Sequence, residues 1–170
     1  KMKLLRDLDA LIADVDFLLI DTAAGISSNV MYFTVTAQEI LVVSTPEPTA
    51  ITDAYALMKV LSVKYRAQDF KLLVNMAADA EEARDVFRQL SLVTDRFLDV
   101  SIEYVGHIPT DSQVRQGVRR QRVVSDLFPK ADAARCFASL ADRVVAGTMS
   151  RFTEKNSHFF WDDLLNNQFE

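Results

Sequence analysis

Glycine is scarce in this chain. Its 170 residues hold four, Gly25, Gly106, Gly117 and Gly147, and none falls in a Gly-x-x-x-x-Gly-Lys pattern. No loop of that type, which cradles phosphates with backbone N–H groups and a lysine, is written here. There is one cysteine, Cys136, so no disulfide can form within the chain. That suits a reducing cytosol, and Cys136 beside Phe137 on an apolar helix reads as a core filler. The two histidines, His107 and His158, stand far apart with no cysteine pair near either, which argues against a zinc site. No Gly-x-Ser-x-Gly elbow supports a serine hydrolase. The apolar runs are far too short to span a bilayer, and no signal peptide is visible. Net charge is -5, so any nucleic-acid surface would have to be local.

What is present is ordinary globular material: 49% hydrophobic and 25% charged residues, enough for one domain with a real core. Leu4, Leu5, Leu8, Leu11 and Ile12 predict an opening helix. Phe17–Ile20 is a continuous apolar run, the pattern of a strand buried on both faces. A short helix is expected over Val30–Ala37 and a second strand over Ile40–Ser44, stopped by Pro46 and Pro48. Ile51, Ala54, Tyr55, Met58 and Leu61 mark an amphipathic helix. Phe70–Val74 reads as a third strand ending on Asn75. Ala83, Val86, Phe87, Leu90, Val93 and Phe97 carry the clearest helical stripe. A fourth strand is expected over Ile102–Val105, then a turn over Gly106–Pro109, then helices over Asp111–Arg120 and Lys130–Ala146. Continuous apolar strands alternating with helices predict an α/β fold with a mostly parallel sheet covered on both faces. Residues 1–147 form one unit in this reading. Residues 148–170 form a polar linker and an apolar terminal segment.

In such sheets ligands sit at the carboxyl ends of the strands. Those ends carry Asp21-Thr22-Ala23-Ala24-Gly25, Thr45-Pro46-Glu47-Pro48, Asn75 and Ile108-Pro109-Thr110-Asp111. A carboxylate at a strand end can hold a Mg²⁺-bound water, because Mg²⁺ keeps several waters and needs few protein ligands. Gly25 has no side chain to block close approach of a phosphate. The alternative for Asp21 is a plain βα turn in which it caps the next segment.

The segment Asp21-Thr22-Ala23-Ala24-Gly25-Ile26-Ser27 resembles the Asp-Ser-Pro-Ala-Gly-Ile-Glu segment of MinD/ParA-type ATPases. "STPEPTAITDAYALMKVL" (44–61), "LLVNMA" (72–77) and "GHIPTDSQVRQGVRRQRVV" (106–124) resemble later segments of the same family. Within the family they look most like the FlhG/FleN branch, which controls flagellar number and placement. The resemblance runs from about Leu11 to Ala146 and keeps the order and spacing of all four motifs. It implies a P-loop NTPase-like fold, N-terminally incomplete here, since the family's Gly-rich loop is missing. The intact parent would bind ATP and Mg, dimerise around them and hydrolyse ATP; this chain alone would be inactive.

The resemblance also implies roles. Asp21 would act on Mg²⁺ through water, and Thr22–Gly25 would form a switch loop sensing the γ-phosphate. Asn75 would hydrogen-bond adenine, with Pro109 and Asp111 lining the base pocket. Pro46, Glu47 and Pro48 would lie where two protomers meet. Ala23 stands where the family often has proline, and Ser27 where MinD has an acidic residue. Phe159, Phe160, Trp161, Leu164 and Leu165 would make a membrane-targeting amphipathic helix, placing the protein in the cytoplasm and at the inner face of the cell membrane. The acidic Asp162 and Asp163 oppose binding to anionic lipid, and docking of this segment on protein is the alternative. Expected partners are a second copy and a flagellar-assembly or regulatory protein.

Arg115, Arg119, Arg120 and Arg122 form a local basic cluster. Contact with an anionic surface (DNA, membrane or protein) competes with a solvated helix face, and the solvated face is the more economical reading. Nucleic acid is not an expected partner. Two other functions remain in view: a non-enzymatic MinD-like scaffold, and a ParA-like DNA-partitioning ATPase whose mark would be salt-sensitive DNA binding.

Overall fold

The computed structural model of the chain describes residues 15–152. The expected opening helix lies outside them. The terminal group Phe159, Phe160, Trp161, Leu164 and Leu165 lies wholly outside.

The described residues form α1 (Ser28–Thr36), β1 (Leu41–Ser44), α2 (Pro48–Tyr65), β2 (Asp69–Ala77), α3 (Ala80–Phe97), β3 (Ser101–Pro109), α4 (Ser112–Arg119), α5 (Val124–Leu127) and α6 (Asp132–Phe152). The three strands make one parallel sheet in the order β1-β2-β3. Parallel neighbours need crossover helices, and α2 and α3 supply them.

The strands sort their side chains by parity. Phe70, Leu72 and Val74 of β2, with Val42 of β1, face a cluster built from Met58 and Leu61 of α2 and Ala83, Val86 and Leu90 of α3. Leu73, Val105 and Ile108 face the other way, onto Ala133 with Cys136 and Leu140 of α6. Helices therefore cover both faces, as the apolar strand pattern predicts. The helix ends follow local chemistry. Ser27 Oγ accepts from Val30 N at 3.4 Å and caps α1. Pro48 opens α2 in the first turn, where its missing N–H costs nothing.

Four expectations need correcting. Phe17–Ile20 is not a strand: it is irregular, and Leu19 is 87% exposed. A run of four residues becomes a strand only where a neighbour completes its ladder, and no described strand pairs with it. Gly106–Pro109 is not a turn but the second half of β3. The register jumps from Leu72↔Tyr104 to Leu73↔Gly106, so Val105 is an extra residue and Gly106 takes φ +136°. That bulge, with a glycine in its strained position, lets the strand continue past the point where its pattern breaks. Likewise β2 runs on to Ala77 through a second irregularity at Met76, whose φ is +59°. At the far end, α6 starts at Asp132 rather than Lys130 and continues through Gly147 to Phe152.

Candidate functional site at the strand carboxyl ends

The parallel register lines up the three carboxyl ends. Ser44, the last residue of β1, pairs with Val74. Asn75 then pairs with Ile108, and Ala77 with Pro109. The loop Thr45–Glu47, Asn75, Pro109 and Asp111 therefore gather along one edge of the sheet. Asn75 is half-buried, and its Oδ1 accepts from Met76 N at 3.0 Å. This bond ties the side chain to the backbone at the Met76 irregularity of β2. Glu47 is exposed at the start of α2, and its side chain makes no capping bond.

Two residues that sequence reasoning passed over hold this edge together. Thr110 N donates to Ala77 O at 2.9 Å, and Thr110 Oγ1 donates to Met76 O at 2.9 Å. The loops after β2 and β3 are thus clamped. Asp79 caps α3 by accepting from Glu81 N at 2.8 Å and Glu82 N at 2.9 Å, while Glu82 Oε2 accepts from Ala78 N. The spacing Asp79…Glu82 is that of a capping box and was legible in the sequence, with Glu82 reaching Ala78 N, one residue ahead of the cap. Thr110 had no such signal, because its partners lie 33 and 34 residues away.

Asp111 has a further duty. Its Oδ1 accepts from Gln113 N at 2.7 Å and caps α4, while Oδ2 accepts from Ala133 N at 3.4 Å at the start of α6. The carboxylate therefore ties two helix N-termini to the end of β3.

Asp21, Thr22 and Gly25 are placed differently. All are exposed, in the irregular segment ahead of α1. Gly25 has φ +104° with open space where a side chain would stand, so it suits close approach by another group. The structure thus assembles the Asn75–Pro109–Asp111 edge with Pro46–Pro48 beside it, and leaves Asp21 outside the sheet.

A cavity of about 280 Å³ lies at the opposite, amino ends of the strands, lined in part by Glu39, Gln68, Asp69, Lys71 and Glu103. Lys71 Nζ bonds Glu39 Oε2 there at 2.8 Å. At β3, burial pushes the Tyr104 hydroxyl above its ordinary value of 10.0, against the lowering effect of Arg84 and Arg143. Its oxygen lies 3.4 Å from His107 Nδ1. Among the described residues no three His, Cys, Asp or Glu side chains group to hold a metal. No helix among them is long and apolar enough to cross a membrane.

No family model matches the chain. It is 43% identical over 152 residues to the antiactivator FleN of Pseudomonas aeruginosa, an alignment that takes in 89% of this chain and 54% of that protein. It is 31% identical over 124 residues to the flagellum site-determining protein YlxH of Helicobacter pylori, covering 72% of this chain and 42% of that one. The chain belongs to the MinD/ParA-type family, as a homologue of FleN. The fold agrees. The septum site-determining protein MinD of Pyrococcus horikoshii, solved with Mg-ADP, superposes with a TM-score of 0.63 at 26% identity, over 86% of this chain and 58% of MinD. The chain spans about half the length of the FleN relative.

ATP and Mg are implied by this family, and the residues present fit them only in part. The base-side candidates Asn75, Pro109 and Asp111 come together, with the Asn75 side chain tied to the backbone. A phosphate cradle has no counterpart in this sequence.

Proposed function

We propose that this chain forms the base-binding and switch portion of a MinD/FlhG-like ATPase that regulates flagellar number or placement. The carrying observation is the register of the parallel sheet. It draws Asn75, Pro109 and Asp111 to one carboxyl edge, the position where open α/β sheets take their ligands. In the intact ATPase Asn75 offers its amide to the adenine ring, and Pro109 packs against the base. Asp111 keeps the pocket wall in place by tying α4 and α6 to β3. The corner Pro46–Glu47–Pro48, exposed at Glu47 and Pro48, faces the second protomer, and Asp21 and Thr22–Gly25 serve the metal and γ-phosphate side. Mg-ATP would supply the phosphoryl group and the charge that drives dimerisation. Residues 1–147 belong to this unit, α6 carries the chain on to Phe152, and the residues after it serve as a terminal element that meets membrane or protein.

The lack of a Gly-rich lysine loop in these 170 residues favours a second reading, a MinD-like scaffold without catalysis. Calorimetric titration of Mg-ATP separates the possibilities. The chain and its Asp21→Ala variant are both expected to give no saturable heat. In an intact ATPase carrying these residues behind a Gly-x-x-x-x-Gly-Lys loop, saturable binding is expected, weakened about tenfold by Asn75→Ala. Saturable binding by the 170-residue chain, lost in Asp21→Ala, would overturn the assignment of phosphate binding to residues outside it.

A further inference from the structure

The turn between α4 and α5 carries charge that the fold does not use. Four arginines, Arg115, Arg119, Arg120 and Arg122, stand within eight residues, and no acidic residue lies between Asp111 and Asp126. All four are exposed. Arg120 lies over the Phe128 ring at 6.0 Å, and Arg122 reaches Asp126 only at 4.0 Å in an exposed pair. Arg115 and Arg119 make no ion pair among the described residues. They stand four apart on one helix, a like-charge spacing that weakens the helix carrying it. Stability does not account for them.

A purely solubilising face would mix signs and avoid apolar side chains. This one does neither. Val118, between Arg115 and Arg119 on the same face, is 71% exposed, and Val123 is 60% exposed. The opposite face of α4 is committed: Val114 packs toward the α6 clusters, and Gly117 is buried. Gly117 also makes the presentation rigid. Its O accepts from Arg120 N at 2.9 Å and Arg122 N at 3.0 Å, and a side chain there would meet Arg122 O at 2.7 Å. The backbone that carries Arg120 and Arg122 is therefore fixed before binding, so less backbone entropy is lost when a ligand docks.

We propose that Arg115, Val118, Arg119, Arg122 and Val123 form a docking surface for an acidic segment of a partner protein, in which carboxylates alternate with apolar side chains. Arginine forks match carboxylates two bonds at a time. The two valines give the apolar contacts that a phosphate backbone cannot use. The rest of the chain selects among anions. A net charge of -5 repels a long polyanion such as nucleic acid or an anionic bilayer. A short segment seated on the patch lies within a Debye length, about 8 Å at physiological salt, of the arginines alone.

Fluorescence anisotropy tests this with two labelled probes: a peptide of repeated Glu-Glu-Leu-Leu, and a duplex DNA of matched charge. The full chain is expected to bind the peptide saturably and more tightly than the duplex. Arg115→Glu/Arg119→Glu should weaken the peptide about tenfold or more. Arg115→Lys/Arg119→Lys, which keeps the charge and removes the forks, should weaken it less, and Val118→Ser should weaken it while leaving charge untouched. Circular dichroism of each variant confirms the fold. No saturable peptide binding overturns the proposal. So does peptide affinity unchanged by charge reversal, or tighter binding of the duplex, which would assign the patch to nucleic acid.

Discussion

Asp111 and Ala133 stand 22 residues apart, yet the carboxylate Oδ2 accepts the Ala133 N–H at 3.4 Å while Oδ1 caps α4 at 2.7 Å. One side chain thus fixes the direction of two helices leaving the same edge of the sheet. That edge is the candidate base pocket, so its shape depends on a residue that never needs to touch the ligand.

Removing this tie should be costly. Asp111→Ala strands the N–H groups of Gln113 and Ala133, and a lost N-cap alone costs about 1–2 kcal/mol. Urea unfolding should show a loss of that order or somewhat more. Asp111→Asn keeps a capping oxygen and should recover most of it. Equal losses in the two variants would mean that charge rather than capping geometry matters.

Gly117 permits no side chain. A Cβ there would lie 2.7 Å from Arg122 O, which is backbone and cannot swing aside. Gly117→Ala should therefore destabilise the chain by about 1–3 kcal/mol, although alanine favours helix elsewhere. The same denaturation experiment reads it, and a stabilised variant would contradict the close packing of α4 on the 122–124 segment.

Lys71 and Glu39 form a pair whose side chains are only 10% and 19% exposed. Breaking such a pair from one side leaves a poorly solvated charge behind. Lys71→Met should cost about 2 kcal/mol, and Lys71→Met/Glu39→Leu less than the sum of the single changes. A double-mutant cycle at two salt concentrations measures this. A coupling that vanishes in high salt would mark the pair as solvent-exposed instead.

Tyr104 gives a pH signature. Burial raises its folded pKa above the unfolded value of 10.0, so the unfolded state loses the proton first. The stabilisation from keeping Tyr104 neutral is complete below pH 10 and is lost as pH rises through the folded value. Stability should fall above about pH 10, and Tyr104→Phe should flatten that fall. Denaturation midpoints from pH 8 to 11 (roughly the span over which a tyrosine titrates) decide the matter. An unchanged profile in the variant would assign the fall to other groups.

Much of this architecture was legible in the residues. Parallel strands show as nearly continuous apolar runs, because a strand covered on both faces has little polar side; Phe70–Val74 is such a run, interrupted only by Lys71. The stripe from Ala83 to Phe97 likewise announced α3. What escaped the reading was set by distance along the chain. The Val105–Gly106 bulge exists only relative to β2, so a local reading saw a turn. Thr110 looks like any loop threonine until the loop after β2 lies beside it. Asn75, Pro109 and Asp111 are legible as strand-end residues, their roles come from the family resemblance, and the strand register sets them side by side on one edge.

Phe17–Ile20 marks the limit of pattern reading most clearly. The run has strand composition, but Leu19 is 87% exposed and no described strand pairs with it. In this chain Leu19→Ser should therefore shift stability by less than about 0.5 kcal/mol, as at other exposed positions. Amide exchange over residues 17–20 should be fast, since no ladder protects these N–H groups. In a longer polypeptide where the run is a buried strand, the same substitution would empty a leucine site and set a hydroxyl in it, costing about 2–5 kcal/mol. Measuring Leu19→Ser in both settings reads out whether this segment gains its structure from sequence beyond these residues. A large loss in the 170-residue chain would show instead that Phe17–Ile20 is already packed there.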